Sequence, residues 1–426
     1  MPLSIKIFVS LISILPLALV FSIFIADTIV VITGVYFLYY LFKLNNYDLI
    51  KSDFFIIGII LWIYFIFLSL ISNEPFHSLE SSLFYFRFIF FAVFVNFIIK
   101  KYPAVLKFIL LGLFFVFLLL IIDSYYQLFF KHNFFGYEYN FASQPKRQNQ
   151  IFITSFFNDE KILGSFLIRL LPVLLGLFFY IFKKNLTFYL LISILLLILL
   201  TEIIILFTGE RTAIFLTILF NFLCLLFIKE YRKYIFIFFI FITCILTLIL
   251  ILNQNTREYV VKNTFNQLTF NNKINIFSYE HEAHFKSALL MFKDKPLFGV
   301  GPKMFRKECT KEEYFVFITP TETGCSTHPH NIYIQALSET GLPIFLLLIS
   351  VFLFINIKLL FYCFRIGNYY QLSSSKIFFY IAVYLNLWPL IPSGNFFNNW
   401  ISIIYFLPLC FLINTNYRSI YKYLKK

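Results

Sequence analysis

Runs of about twenty apolar residues recur along this chain, near 5–25, 28–44, 54–72, 83–100, 104–130, 161–182, 186–207, 212–229, 233–252, 331–357, 376–393 and 397–414. That length spans the hydrocarbon core of a bilayer when wound as a helix. Inside lipid every backbone N–H and C=O must be satisfied internally, so only helices or a closed β-barrel remain. A barrel strand would alternate in polarity over roughly ten residues, whereas these runs are continuously apolar. Composition agrees: 60% of the 426 residues are hydrophobic and 13% charged, where soluble domains carry about a quarter charged. The expected fold class is therefore an all-α polytopic membrane protein of about twelve transmembrane helices.

The formal charge of +14 is not spread as a nucleic-acid surface would require. Lys43, Lys51, Lys100, Lys101, Lys183, Lys184, Lys229, Arg232, Lys233, Lys358, Arg365 and Lys376 flank span ends, as do Arg418, Lys422, Lys425 and Lys426 in the tail. With a cytoplasmic N-terminus, every Lys/Arg-rich connection falls inside, and those carrying Asp27, Asn73-Glu74, Gly209-Glu210-Arg211 and Gly394-Asn395 fall outside. Both termini are then cytoplasmic, the partner is the lipid bilayer, and nucleic acid is excluded. The first apolar run lacks a small-residue cleavage site and reads as an uncleaved helix. Three units follow: helices 1–9 over 1–252, with a short external segment near 131–160; a large external loop over 253–330; and helices 10–12 with a basic tail over 331–426.

Within the large loop, Phe285, Ala288, Leu289 and Phe292 are spaced as on an amphipathic helix, which Lys295-Pro296 ends and the turn Gly299-Val300-Gly301-Pro302 follows. Cys309 and Cys325 are the two cysteines of this loop, and in an oxidising compartment they can pair. Closing about fifteen residues contributes roughly 3 kcal/mol in the chain-entropy account and pins the loop just before His328. Cys224, Cys244, Cys363 and Cys410 fall in or beside spans and read as small apolar fillers.

The polar groups that a bilayer mouth tolerates least concentrate at His328-Pro329-His330-Asn331. Asn331 is the expected N-cap of the following helix, whose positive end disfavours imidazolium at His330 and leaves that ring able to accept a proton. A capping cluster without chemistry is the bland alternative, and chelation by His-x-His a third. His281 and His284 share the loop but match no zinc-ligand spacing. Arg211 opens a span at an external boundary, where the positive-inside pattern gives no reason for it. A guanidinium at a helix N-terminus suits a phosphate or diphosphate, and a salt bridge to Glu210 is the structural alternative. Arg147 offers a second external cation, and Arg169, a turn inside a span, should face protein or a wet cavity. Glu339 lies roughly 13 Å along the helix from His330, too deep to act with it. Asn395, Asn398 and Asn399 suit either a sugar-binding mouth or turn chemistry.

No P-loop, dinucleotide fingerprint, nucleophile elbow or external Asp-x-Asp is present. An enzyme acting outside the membrane without a metal or cofactor then needs a substrate already activated by a good leaving group, a need that a lipid-linked diphosphate sugar fits.

Four stretches together resemble the O-antigen ligase and O-antigen polymerase superfamily of bacterial inner-membrane glycosyltransferases. They are Thr208-Gly209-Glu210-Arg211-Thr212-Ala213, Lys295-Pro296-Leu297-Phe298-Gly299-Val300-Gly301-Pro302, His330-Asn331 with Gly341 downstream, and the layout of many spans with one large loop before the His-Asn helix. The resemblance covers about 160 to 400. It implies a GT-C-like architecture with a periplasmic site, His330 at the reaction centre, and Arg211 on the diphosphate of an undecaprenyl-linked glycan. His328, Asn331, His281, His284, Arg147 and Arg169 are the candidate substrate-binding residues around them. Where family members often place an arginine upstream of the Gly-Val-Gly turn, this chain has His281, Glu282 and His284, so a second diphosphate-binding cation is unassigned. The acceptor would be lipid A-core for a ligase, growing polysaccharide for a polymerase, or a protein hydroxyl. A transporter or flippase is the non-enzyme alternative; it would favour broken helices at midplane with paired repeats, whereas the polar residues here cluster at the external face.

Overall fold

The computed structural model describes residues 3–413 apart from 46, 139–151, 159, 271–272, 275, 318–323 and 367–371. Ten helices precede the large loop: α1 (Leu3–Phe21), α2 (Ile23–Phe42), α3 (Asp53–Leu70), α4 (Pro75–Ser82), α5 (Phe86–Lys101), α6 (Val105–Phe130), α7 (Leu163–Phe182), α8 (Phe188–Phe207), α9 (Arg211–Phe227) and α10 (Arg232–Leu252). The loop carries α11 (Gln254–Arg257), α12 (Asn263–Leu268), α13 (Tyr279–Asp294), α14 (Phe305–Glu308) and α15 (Ile332–Gln335). Helices α16 (Leu342–Phe364), α17 (Ser374–Asn386) and α18 (Asn399–Leu409) complete the bundle. Among the described residues, nine helical stretches are long and apolar enough to cross a membrane. The shorter α9, α17 and α18 occupy the other three positions where apolar runs predict spans. The chain is an all-α multi-pass membrane protein; its strand pairing, among the described residues, is a two-residue hairpin, Thr269–Phe270 with Lys273–Ile274, and one bridge between His132 and Glu138.

Side-chain caps start many of these helices. Ser22, Ser52, Thr187, Ser278, Ser373 and Asn398 each accept from a backbone N–H two or three residues on, satisfying donors that the helix itself cannot. Helix α7 is the hub, buried along almost its whole length and packed against α17, α6, α8 and α9. At the other extreme, α10 buries only Ile242, and its apolar surface faces outward. Polar pairs tie the interior together: Arg169 to Asn386 at 2.8 Å, Asn221 to Glu202 at 3.0 Å, and Asn96 to the Cys410 carbonyl at 2.7 Å. Interhelical bonds of this kind contribute about 0.6 kcal/mol each in lipid, so several are needed to fix the bundle.

The two ends of the bundle are tied by different polar groups. At one, Lys183 pairs with Glu230, Lys229 donates to the carbonyls of Tyr362 and Cys363, and Lys100 to that of Ile413. At the other, the connectors meet the large loop. Arg87 joins Asp27 at 2.8 Å and Asn399 at 2.9 Å, and Asn73 donates to Glu308 at 2.8 Å. The loop has its own small core of Ala288, Met291, Val300, Met304, Phe305, Cys309 and Tyr314.

The apolar run expected to continue as one helix from Asn331 is broken. After α15, residues Ala336–Thr340 widen into a π-helical turn, and Gly341, at φ +76°, separates it from α16. The Gly-Val-Gly turn lies against this break: Val300 N donates to Ser338 O at 2.8 Å, Gly301 N to Glu339 O at 2.9 Å, and Leu342 N to Pro296 O at 2.9 Å. Tyr64 of α3 closes the joint, donating to the carbonyls of Leu297 and Thr340. Two motifs some forty residues apart in sequence thus form one structural unit.

Candidate functional site

Four histidines converge at the loop end of the bundle. His281 and His284 come from the first turns of α13, while His328 and His330 come from the segment entering α15. Ring centroids are 4.0 Å apart for His328 and His330, 5.5 Å for His281 and His330, 5.4 Å for His284 and His330, and 6.4 Å for His281 and His284. His330 is the centre of the group. Its backbone is held left-handed at φ +58°, a strained conformation that functional residues often carry. Ser393 grips this point from the α17–α18 connector: its N–H donates to His330 O at 2.7 Å, and its carbonyl accepts from His328 Nε2 at 3.2 Å.

Hydrogen bonding distinguishes the rings. A carbonyl only accepts, so His328 carries its proton on Nε2, and Nδ1 takes the Thr327 hydroxyl at 2.9 Å. Both nitrogens of neutral His328 are committed. His284 donates Nδ1–H to Gly324 O at 2.8 Å and keeps an Nε2 lone pair. His330 meets the Ser326 hydroxyl through Nε2 at 3.1 Å, and its Nδ1 has no hydrogen-bond partner among the described residues. With its Nε2–H donated to Ser326 Oγ, His330 can accept a proton at Nδ1, as His284 can at Nε2.

Three of the rings, His281, His328 and His330, are held neutral. Burial, then the other three histidines, brings His330 down to about 3. Burial, then His284 and the charge of Arg211, brings His281 to about 4. Burial brings His328 to about 4 against the Ser393 bond, with Arg306 adding to the fall. Because these folded values lie below the ordinary value near 6.5, an unfolded chain takes up protons that the folded chain refuses as pH falls from about 6.5 toward 4. Stability is therefore full above about 6.5 and is lost on acidification across that window. Melting in lipid nanodiscs at pH 7 and pH 4.5 should differ by roughly 1–3 kcal/mol, and His328→Gln should flatten the dependence. A pH-independent transition in both chains would contradict the assignment.

Arg211 is the first residue of α9, and its guanidinium lies 5.4 Å from the ring centre of Tyr259. Its neighbour Glu210 turns to α7 instead, accepting from Gly164 N at 2.5 Å, Ser165 N at 2.9 Å and Ser165 Oγ at 2.7 Å. Tyr259 accepts from Lys161 Nζ at 2.7 Å. Burial alone would raise this phenol, but Lys161 and Arg211 together lower it below its ordinary value. Lys161 also lies 3.6 Å from the centre of the Phe152 ring, so two cations share an aromatic wall. Sequence reasoning missed Lys161 and Tyr259: they sit on different connectors and belong to no local pattern.

Other candidate residues have structural roles. Asn331 caps α15 by accepting from Tyr333 N and Ile334 N, and donates to Pro389 O and Ile391 O. Arg169 is buried in α7, bonded to Asn386 and 5.8 Å from the centre of the Tyr405 ring, among interior groups rather than with the histidines. Asn395 accepts from Gln335 Nε2 and Phe397 N, Asn398 caps α18, and Asn399 accepts from Arg87. Arg147 lies outside the described residues. Glu339, expected deep in a span, is buried at the π-turn, and its carboxylate accepts from Lys303 N at 3.0 Å, Phe305 N at 3.1 Å and Gln335 Nε2 at 2.8 Å. Burial raises it to about 7. A disulfide joins Cys309 and Cys325, and Ser326, next in the chain, is the residue that meets His330. Among the described residues, no three His, Cys, Asp or Glu side chains form a group able to hold a metal ion.

Residues 194–349, from within α8 into α16, match the family model described as O-antigen ligase. Over that segment, a little over a third of the chain, the protein is similar to the O-antigen ligase family, in agreement with the resemblance carried by its motifs. The matched segment contains all four histidines, Arg211, Tyr259 and the paired glycine stretches. An O-antigen ligase-like function follows in general terms. No curated protein matches the chain.

Proposed function

We propose that the histidine cluster and Arg211 form the transfer site of a metal-independent, inverting glycosyltransferase using a polyprenyl-diphosphate-linked glycan, with undecaprenyl as the carrier, at the periplasmic face of a bacterial inner membrane. The observation that carries this reading is a neutral histidine with an unpartnered nitrogen, in a cluster at the end of an apolar bundle whose His281 ring feels the charge of the helix-terminal Arg211. An acceptor hydroxyl gives its proton to His330 Nδ1 as its oxygen bonds to the anomeric carbon. The bond from that carbon to the diphosphate oxygen breaks, and the electron pair leaves with the diphosphate. Arg211 and the N-terminus of α9 offset the charge that gathers there. A value near 3 makes His330 a weak base in the free protein, and a bound diphosphate dianion raises its proton affinity when substrate is present.

The description of the matched family, O-antigen ligase, favours lipid A-core as the acceptor. Deleting the gene tests this against the related chemistries. Full-length glycan left on the carrier is expected. Single repeat units on the carrier would make it a polymerase, and loss of glycan from protein alone would make it a protein glycosyltransferase. Normal surface glycan would end the assignment.

A further inference from the structure

His284 and His330 each keep an accepting nitrogen, and they come from different elements, yet one short strap holds both. His284 Nδ1 donates to Gly324 O at 2.8 Å, and His330 Nε2 meets Ser326 Oγ at 3.1 Å. Cys325 stands between these two contacts. A ring nitrogen that donates leaves the lone pair on the other, so the strap decides which edge of each ring can take a proton.

The strap is fixed from several sides. Cys325 is bonded to Cys309, which follows α14 and is buried in the loop's own core. Cys309 Sγ also lies 3.7 Å from Ser326 O. Gly324 N donates to Val316 O at 2.6 Å. Gly324 backs so closely onto α13 that a Cβ would stand 2.6 Å from the carbonyl oxygen of Ala283, the residue before His284. The disulfide is the covalent tie, and Cys325, partly exposed where Cys309 is buried, is the sulfur that a reductant can reach.

We propose that Gly324-Cys325-Ser326, clamped by the Cys309–Cys325 disulfide, is the positioning element that sets the accepting nitrogens of His284 and His330, so that transfer requires the oxidised chain. The link to transfer rests on the function proposed above; the hold on the two rings does not. Reduction by a dithiol undoes the clamp in two steps. A thiolate of the reagent attacks Cys325 Sγ, the S–S bond breaks, and its electron pair leaves on Cys309 Sγ, which takes up a proton. The second thiolate of the reagent then attacks the mixed disulfide, releasing Cys325 as a thiol and closing the reagent into its own disulfide. The strap is then held by non-covalent contacts alone, and a shift of about 1 Å at a positioned group costs on the order of a hundredfold in rate.

The test uses the full chain in liposomes, before and after dithiothreitol, with mass-tag labelling to show that Cys309 and Cys325 are the thiols gained. Reduction should lower kcat for polyprenyl diphosphate release about 10- to 100-fold while the donor KM stays within about twofold, and reoxidation should restore the rate. The Cys309→Ser/Cys325→Ser double variant should start low and ignore the reductant. Ser326→Ala, which keeps the disulfide, should lower kcat about tenfold, and Ser326→Thr, which keeps the hydroxyl, should restore it; this pair carries the test if reduction unfolds the chain. Carbethoxylation by diethyl pyrocarbonate, mapped by mass spectrometry, reads the rings without turnover. Reduction should raise its rate at His284 and His330 and leave His132, bonded to Asn133 O outside this loop, unchanged. An unchanged carbethoxylation pattern, or a reduced chain that transfers at the oxidised rate, would overturn the strap. If the rings respond as expected but neither state transfers glycan, the transfer reading falls and the strap stands.

Discussion

Replacing His330 by Ala should lower transfer by about 10²–10⁴-fold, the range for removing a positioned general base, and leave the chain folded. Both residues occupy the left-handed region at similar cost, so the backbone strain at φ +58° is not changed by the substitution. His330→Gly, which relieves that strain, should be at least as stable and equally inactive. His328→Gln should cost much less activity, since both nitrogens of His328 already serve Thr327 and Ser393. Turnover and melting measured on the same preparations separate the two effects. An active His330→Gly would remove histidine from the chemistry.

The second large effect is expected far from any reacting atom. At Gly341 the backbone adopts φ +76° and ψ −173°, which side chains rarely allow, and a Cβ would run into the carbonyl of Leu297. Gly341→Ala should therefore cost about 3 kcal/mol or more and open the joint between the π-turn and the Gly-Val-Gly turn. Gly136, also at positive φ but with open space where its Cβ would go, provides the comparison; Ala there should cost about 1 kcal/mol. Melting temperatures of the two variants test this. Similar small losses at both positions would mean that the joint does not hold the site.

The contrast between what sequence revealed and what it hid has a physical basis. Hydropathy marked the spans because lipid imposes one rule on every segment that crosses it. The N-cap role of Asn331 was legible because capping is local. The same hydropathy concealed the break at Ala336–Thr340, since the run stays apolar enough on either side of Ser338-Glu339-Thr340. Both glycine motifs were visible as motifs, but their pairing is a long-range contact with no local signature. The gathering of His281 and His284 onto His330 depends on how α13 docks on the π-turn, which spacing along the chain does not encode. Lys161 and Tyr259 carry no local signal for the same reason, and the partner of Arg169, an interior asparagine more than two hundred residues away in sequence, was equally hidden.

The most direct test of the central claim is a transfer assay with the purified chain in liposomes, using polyprenyl-diphosphate-linked glycan and lipid A-core and measuring the release of polyprenyl diphosphate. The wild-type chain should release it, and His330→Ala and Arg211→Ala should each reduce the rate at least a hundredfold. Wild-type rates in both variants would contradict the assignment of the site.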